Sequence, residues 1–237
     1  MITGLDLRLH PTPTQRITAI AGFDDLDALI DVGREFRDAD GIAALELIDA
    51  RASALTAKHM GVGPAVGVDT ATRQRLWQVR EAVADVLGIY GPPLKFDVSL
   101  PLSMIAQFAT AAARLVGEHA PDAIPVLFGH IGEGNLHLNL ARCVLDTETE
   151  RALYSAMMAL IAQCRGNVSS EHGVGTRKRD YLTMSRTGAD IAPVRPLKTA
   201  FDLDGHLNPA VLFDDSVMER HGVPAVGSRV APVVLRA

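Results

Sequence analysis

The sequence has 237 residues, of which 48% are hydrophobic and 22% charged; this composition is ordinary for a globular protein and excludes overall disorder. The formal net charge is −5, so no global basic field would attract nucleic acid or anionic lipid. No apolar run approaches the ~18 residues of a transmembrane segment, the N-terminus lacks a secretory signal pattern, and Cys143 and Cys164 are too few for a disulfide scaffold, so a cytoplasmic location is expected.

The first part of the chain predicts short strands that alternate with amphipathic helices. Apolar residues in the helical segments recur at the spacing of one helix face, and the strand segments are short apolar runs. The segment 61–69, which contains three glycines and a proline, is predicted as a loop. Helices are predicted at 24–37, 49–60 and 70–87, and strands at 16–22 and 42–48.

The middle of the chain predicts antiparallel strands. Residues 95–100 alternate strictly, which places Lys95 and Asp97 on one face of a strand and apolar residues on the other. Two further strands, at 123–130 and 137–142, flank a glycine-rich turn and predict a hairpin. This hairpin favours an α+β fold, with a mostly antiparallel sheet and helices packed on it, over a doubly wound parallel sheet.

Helix caps mark the remaining elements. Ser103 is predicted as the N-cap of an alanine-rich helix that ends near residue 118. Thr147 and Glu150 match a capping box that opens a helix through residue 163. A last helix is predicted near 196–201, and the tail after residue 214 shows no periodicity.

Residues able to bind a metal or to catalyse a reaction are concentrated in two segments. The first is Phe128–Leu140 (FGHIGEGNLHLNL). With a six-residue turn at 131–136, His130 lies opposite His137, with their Cβ atoms ~5 Å apart on one face. Asn139 points to the same side as His137 because successive side chains alternate along a strand. Two imidazoles and an amide are therefore expected on one patch.

The second segment, Gly166–Lys178 (GNVSSEHGVGTRK), places Glu171 and His172 in a glycine-rich loop ahead of a predicted basic helix. A glutamate brought to two histidines completes the three-ligand set of a catalytic divalent metal. His172 then remains as a neutral base near pH 7. The residues alone leave open that the histidines only form hydrogen bonds, or that the loop binds phosphate, although no GxxxxGK[ST] or GxGxxG pattern is present.

The motifs GHIGEGNLHLN and SSEHGVGTRKRDYL, in that order, resemble the C-terminal domain of FAD-linked oxidases, a family that includes D-lactate dehydrogenase, the glycolate oxidase FAD subunit and D-2-hydroxyglutarate dehydrogenase. RLWQVREAV, LKFDVSLPLSMI and FDLDGHLNP are similar to further segments of that family. The resemblance implies a linker remnant from a flavin domain at 1–15, an FAD-linked oxidase C-terminal-like domain at 16–213 and an irregular tail at 214–237.

The resemblance implies an enzyme that oxidises a D-2-hydroxy acid and passes a hydride to FAD. By this resemblance, His130, His137 and Glu171 would hold a divalent metal, for which Zn²⁺ or Mn²⁺ is expected. His172 would take the proton from the substrate hydroxyl. The residues that would bind the substrate are Arg80, Lys95 and Asn139.

Departures from the family pattern bear on activity and substrate. The flavin domain of the family precedes the point where this sequence begins, so FAD is expected to be bound mainly by a missing or separate domain, and a flavin-binding chain is a partner to test for. The segment 61–69 is shorter than in the family, and Glu133 and Ala210 replace the usual aspartate and glycine. Ala84, one turn after Arg80, lacks the side-chain hydroxyl with which some relatives bind a second carboxylate. This difference favours a smaller substrate such as lactate or glycolate.

Three hypotheses follow from these residues. The leading one is the catalytic and substrate-binding half of a flavin-dependent D-2-hydroxy acid dehydrogenase, which is not expected to turn over alone. The alternative is a non-catalytic remnant or binding module that retains a metal and carboxylate site. A stand-alone metal hydrolase, with a metal-bound water, is the third.

Overall fold

The computed structural model describes residues 4–9, 11–60, 65–208 and 210–213. The chain forms two compact units, Met1–Glu171 and His172–Ala237. The predicted boundaries at residues 15 and 213 stay predictions, and the predicted irregular tail at 214–237 lies outside the described residues. Within the described ranges, no helix has the length and apolar character needed to cross a membrane.

The first unit combines helices with short strands. Its α-helices are α1 (Leu26–Arg37), α2 (Ala50–Met60), α3 (Thr70–Gly88), α4 (Ile105–His119) and α5 (Thr147–Gln163). Its strands are β1 (Thr18–Ile20), β2 (Leu47–Ile48), β3 (Ala65–Gly67), β4 (Leu94–Ser99), β5 (Ile124–His130) and β6 (Asn135–Ala141).

Antiparallel pairing organises these strands into two sheets. Strands β2, β5, β6 and β4 lie side by side in that order, and every neighbouring pair is antiparallel. Strands β1 and β3 form a separate antiparallel pair. The predicted α+β class with a mostly antiparallel sheet is therefore confirmed. Strand β3 falls in the segment predicted as a loop, because pairing with β1, distant in sequence, extends it.

Helices cover both faces of the four-stranded sheet. On one face the fully buried Phe96 of β4 packs with its ring centroid 5.1 Å from that of Tyr154 on α5. On the other face, residues of α2 and α3 form a core cluster with residues of β5 and β6: Ala52, Val83, Leu87, Val126, Phe128 and Ala141. Burial of a large apolar side chain stabilises a fold by roughly 1.5–3 kcal/mol, so these two layers hold the sheet in place.

The hairpin of β5 and β6 has a shorter turn than the sequence predicts. Residues 131–134 make a 3₁₀ turn that ends on Gly134 at φ 72°, so β6 begins at Asn135. His130 is therefore paired with Asn135, and His137 with Phe128. The prediction that His130 lies directly opposite His137 is wrong, because the left-handed glycine closes the turn in four residues instead of six.

The end of β4 is enclosed by two glycine-containing segments. Leu100 N donates to Gly134 O at 2.9 Å, and a Cβ added to Gly134 would collide with the Leu100 carbonyl oxygen. On the other side, Ser99 pairs with Asn167, and a Cβ on Gly166 would lie 2.7 Å from Ser99 O. The turn of the hairpin and the segment that leads to Glu171 thus meet at the same strand end.

Two predicted helix caps differ from the observed ones. Ser103 lies inside a 3₁₀ turn at Leu102–Met104, and α4 begins at Ile105 without a side-chain cap. The turn forms because Met104 N donates to Pro101 O, which places Ser103 within the turn. Helix α5 is capped by Asp146, whose carboxylate accepts from two backbone N–H groups of the first turn, so Thr147 is the first helical residue.

The second unit contains short helical elements. The basic helix predicted after the glycine-rich loop is a 3₁₀ helix, Arg179–Met184. The α-helices α6 (Gly188–Ile191) and α7 (Val194–Phe201) follow, and α7 confirms the helix predicted near 196–201. After α7, the Asp202 carboxylate accepts from the N–H groups of His206 and Leu207 at 2.8 and 2.9 Å, which closes the turn.

Candidate functional site

Two histidines share one face of the sheet at the turn end of the β5–β6 hairpin. His130 and His137 are not paired directly, because the observed register differs from the predicted one by two residues along β6. A two-residue difference leaves every side chain on its original face, since side chains alternate with a period of two. Their ring centroids are 5.9 Å apart, at an interplanar angle of 83°. The two imidazoles therefore converge as predicted, although they are diagonal neighbours on the sheet and not a directly opposed pair.

Glu171 reaches the same place from a different segment. The backbone of Asn167 pairs with Ser99, and Ser170 N donates to Asp97 Oδ2 at 3.0 Å, so the segment before Glu171 is attached to β4. Glu171 Oε1 then lies 3.2 Å from His137 Nε2, and Oε2 lies 3.7 Å from His130 Nε2. The structure thus brings together the three residues that the sequence analysis assigned to a metal.

Asp97 is a member of this cluster to which the sequence analysis assigned no role. It is paired with His137 across β4 and β6, is 3% exposed, and has Oδ1 3.9 Å from His137 Nδ1. One ligand atom each from Asp97, His137 and Glu171 lies within 4.8 Å of the others. A sequence feature could have identified Asp97, because it is a charged residue on the predicted polar face of a strand that otherwise contributes to the core.

Glu46 is a second residue that the sequence analysis did not single out. Its Oε2 accepts from Arg80 Nε at 2.6 Å, and its Oε1 is 2.6 Å from His130 Nδ1. Hydrogen bonds of this length in which at least one partner is ionised are the stronger kind. One signal was the isolated carboxylate within the apolar segment 42–48.

Arg80 projects from α3 toward the same face. Its guanidinium carbon lies 5.1 Å from the centroid of the Phe128 ring, a distance at which a cation is attracted to an aromatic face. Among the described residues, Arg80 hydrogen-bonds only through Nε, to Glu46. Its two Nη groups therefore remain for an anion, and guanidinium donors bind carboxylates in a bidentate manner.

Lys95 and Asn139 form a directly opposed pair between β4 and β6. Opposed residues of an antiparallel pair share a face, and by the alternation along β6 this face is the one that carries His137. Lys95 is exposed, whereas Asn139 is 5% exposed. The exposed His172 is the first residue of the second unit and follows Glu171 directly in the chain; its role as a base stays a prediction.

The donor set is chemically suited to a divalent cation. Two imidazole nitrogens and one or two carboxylates match the ligands that Zn²⁺ and Mn²⁺ accept. Within the part of the chain that the structure describes, Asn135 Oδ1, opposite His130, is buried without a hydrogen-bond partner. A buried acceptor without a partner costs about 1–3 kcal/mol, which a bound ligand or its water would offset.

Comparison with known proteins gives consistent matches. The model of a family described as "FAD linked oxidases, C-terminal domain" matches residues 12–71 and 62–212. D-2-hydroxyglutarate dehydrogenase of Stutzerimonas stutzeri is 36% identical over 145 residues, which cover 59% of this chain and 31% of that protein. Mitochondrial D-2-hydroxyglutarate dehydrogenase of Danio rerio is 31% identical over 152 residues, which cover 64% of this chain and 28% of that protein.

A putative mitochondrial D-lactate dehydrogenase of Schizosaccharomyces pombe is 34% identical over 143 residues, which cover 56% of this chain and 27% of that protein. The chain therefore spans about a third of the length of the curated relatives that it matches, between 27% and 31% for these three. The two segments matched by the family model overlap at 62–71, which covers most of the glycine-rich segment after α2 and the first two residues of α3.

Proposed function

The chain belongs to the FAD-linked oxidase C-terminal domain family, and on that premise we propose that it forms the substrate-binding and catalytic half of a flavin-dependent D-2-hydroxy acid dehydrogenase. The names of two relatives, D-2-hydroxyglutarate dehydrogenase and putative D-lactate dehydrogenase, support this substrate class. The observation that carries the proposal is the approach of the Glu171 carboxylate to Nε2 of both His137 and His130, at 3.2 and 3.7 Å.

His130, His137 and Glu171 would hold a divalent metal, with Zn²⁺ or Mn²⁺ the expected ion. When bound, such a metal would supply a Lewis acid for the 2-hydroxyl and carboxylate of the substrate, and FAD held by a flavin-binding partner would supply the hydride acceptor. Asp97, buried beside His137, would add a negative charge that favours a cation at this site.

Arg80 and Lys95 would bind the carboxylate of the substrate. The two Nη groups of Arg80 offer the fork that a carboxylate requires, and the stacking of the guanidinium on Phe128 restricts its movement. The ammonium group of Lys95 contributes a second positive charge, and the buried Asn139 opposite it offers amide donor and acceptor atoms. Together these groups would orient the 2-hydroxyl toward the histidines.

His172 would remove the proton of the 2-hydroxyl as C2 loses its hydride, so that the products are a 2-oxo acid and a protonated imidazole. Neutral imidazole is suited to this role because its ordinary pKa of about 6.5 lies close to neutral pH. The position of His172 next to Glu171 in the sequence supports the assignment, since a base must lie within hydrogen-bond reach of the hydroxyl.

Ala84 favours a small substrate. It lies one turn after Arg80 on α3, and its methyl side chain offers no hydroxyl to a second carboxylate. A lactate- or glycolate-like acid needs only one carboxylate site, whereas 2-hydroxyglutarate carries two. We therefore place lactate and glycolate first among the substrates to test.

Isothermal titration of the chain with D-lactate, L-lactate and propionate, each with and without Mn²⁺, tests the proposal. D-lactate is expected to bind most tightly, and only with Mn²⁺, while propionate, which lacks the hydroxyl, binds at least tenfold more weakly. Equal binding of propionate and D-lactate would overturn the proposal. Tight D-lactate binding without turnover beside a flavin-binding partner would favour the non-catalytic binding module instead.

A further inference from the structure

We propose that Glu46 is a positioning residue that fixes His130 and Arg80 in one shared geometry. The inference rests on the proposed function, because it assigns His130 to a metal and Arg80 to a substrate carboxylate. Glu46 would touch neither ligand. It would act by setting which nitrogen of His130 faces the metal site and which guanidinium groups of Arg80 face the substrate.

The contacts of Glu46 are short and sheltered. One carboxylate oxygen lies 2.6 Å from Arg80 Nε and the other lies 2.6 Å from His130 Nδ1. The side chains of Glu46 and Arg80 are 13% and 16% exposed. Limited exposure reduces screening by water, so the bond to Arg80 restrains its partner more than a surface ion pair would; His130 is more open, at 36% exposed.

The backbone around Glu46 is attached to the hairpin on both sides. Leu47 is paired with Gly129, and Gly132 N donates to Leu45 O at 3.3 Å. Glu46, between these two attachments, is therefore held beside His130, one of the two residues between Gly129 and Gly132. Glu46 reaches His130 from a fixed backbone and does not depend on a flexible loop.

The chemistry of the contact defines the state of the imidazole. A carboxylate only accepts hydrogen bonds, so Nδ1 of His130 carries a proton and donates it to Glu46. In the neutral ring Nε2 then presents its lone pair, and this is the nitrogen that faces Glu171. Carboxylates that orient metal-binding histidines in this manner typically contribute ten- to hundredfold to metal affinity.

The contact with Arg80 has a corresponding effect. Because Nε donates to Glu46, the plane of the guanidinium is fixed and both Nη groups stay available for a carboxylate. The same carboxylate therefore restrains both halves of the proposed site. Removing its charge should loosen metal binding and substrate binding together, although the two ligands contact different residues.

The test compares Glu46→Gln with Glu81→Gln, a matched change at an exposed glutamate next to Arg80 in the sequence. Mn²⁺ affinity, measured by electron paramagnetic resonance, should fall roughly 10–100-fold in Glu46→Gln and stay unchanged in Glu81→Gln. The affinity for D-lactate in saturating Mn²⁺ should fall at least threefold in the same variant. Unchanged affinities in a folded Glu46→Gln protein would overturn the inference.

A spectroscopic measurement separates this inference from the proposed function. Nitrogen NMR of ¹⁵N-histidine-labelled protein without metal should show His130 protonated at Nδ1 in the wild-type chain, and a mixture of tautomers in Glu46→Gln. A wild-type His130 protonated at Nε2 would overturn the role of Glu46 even if the variant fails to fold. Failure of the wild-type chain to bind Mn²⁺ or D-lactate, with the Nδ1 tautomer intact, would instead overturn the proposed function.

Discussion

The carboxylate of Asp97 accepts a hydrogen bond from the backbone N–H of Ser170 at 3.0 Å, and this bond attaches the residue before Glu171 to the centre of β4. The same aspartate is paired with His137 in the sheet. Two residues of the proposed metal site, which are distant in the sequence, are therefore both attached to Asp97, His137 through strand pairing and Glu171 through the residue before it.

Substitution Asp97→Asn should weaken metal binding without unfolding the chain. The amide oxygen of asparagine still accepts the hydrogen bond from Ser170, but the negative charge near His137 is lost. We expect Mn²⁺ affinity to fall roughly 10–100-fold, as measured by electron paramagnetic resonance. Asp85→Asn, at an exposed position of α3, serves as the control. Equal affinities in both variants would limit Asp97 to a structural role.

Substitution His137→Ala should abolish measurable Mn²⁺ binding, because a site with three protein ligands loses one of them. Thermal unfolding with and without Mn²⁺ gives a second readout, since a ligand that binds only the folded chain raises the unfolding temperature. The rise should be present in the wild-type chain and absent in His137→Ala. The exposed His206 provides the matched control, and a His206→Ala variant that also loses the rise would argue against the assigned site.

Substitution Arg80→Ala should raise the dissociation constant of D-lactate roughly 10–100-fold, because the loss of one hydrogen bond between charged groups costs about 1.5–3 kcal/mol. Isothermal titration in saturating Mn²⁺ measures the effect. Arg75→Ala removes an exposed arginine from the same helix and should leave the affinity unchanged. A similar loss in both variants would indicate a general effect of charge rather than a carboxylate site at Arg80.

Substitution Gly134→Ala should destabilise the chain by roughly 2–4 kcal/mol. The residue has φ 72°, and an added Cβ would collide with the Leu100 carbonyl oxygen. Gly117→Ala, at an exposed position within α4 where a Cβ meets no atom within 4 Å, should instead stabilise the chain by about 0.5–1 kcal/mol. Urea denaturation followed by circular dichroism distinguishes the two outcomes, and equal effects would contradict the turn geometry.

The N-cap of α5 should make stability depend on pH in the acidic range. Hydrogen bonds from the backbone N–H and the hydroxyl of Thr149 lower the pKa of Asp146 below its ordinary value. A lowered pKa in the folded state gives a contribution that is present above the unfolded pKa of about 3.9 and is lost as the pH falls through the folded pKa.

The free energy of unfolding should therefore fall less on acidification in Asp146→Asn than in the wild-type chain, because asparagine still caps the helix but does not titrate. Urea titrations at neutral pH and near pH 3 measure this difference. Asp122→Asn, in an exposed turn where it caps no helix, should follow the wild-type curve. Parallel curves for all three proteins would contradict the capping role.

Local patterns were enough to predict most elements and the sheet face that carries the two histidines. The alternation around Lys95 and the apolar spacing of α3 are properties of short segments, and both predictions agree with the structure. The register of the hairpin was wrong by two residues, yet the face that carries His130 and His137 was right. Alternation in a strand determines the face, whereas the conformation of one glycine in the turn determines the register.

The remaining residues depend on contacts between distant segments. Glu46 acts on Arg80 and His130, and the pairing of β2 with β5 that brings it there involves only two residues of β2. A two-residue strand has no periodicity to detect. Ser103 shows the opposite error, since its intrinsic preference for an N-cap was overridden by a 3₁₀ turn that begins after Pro101. Pairing and turn closure, rather than residue preference, decided these positions.

The crowded end of β4 has a consequence for protein engineering. A design that transfers the histidine and carboxylate ligands to a new scaffold must also transfer Ser99, Leu100, Gly134 and Gly166. These residues set the distance between the two segments that carry the ligands. If a residue with a Cβ replaced either glycine, the two segments could not approach the strand end. The metal-binding atoms would then stay apart even if every ligand residue were copied.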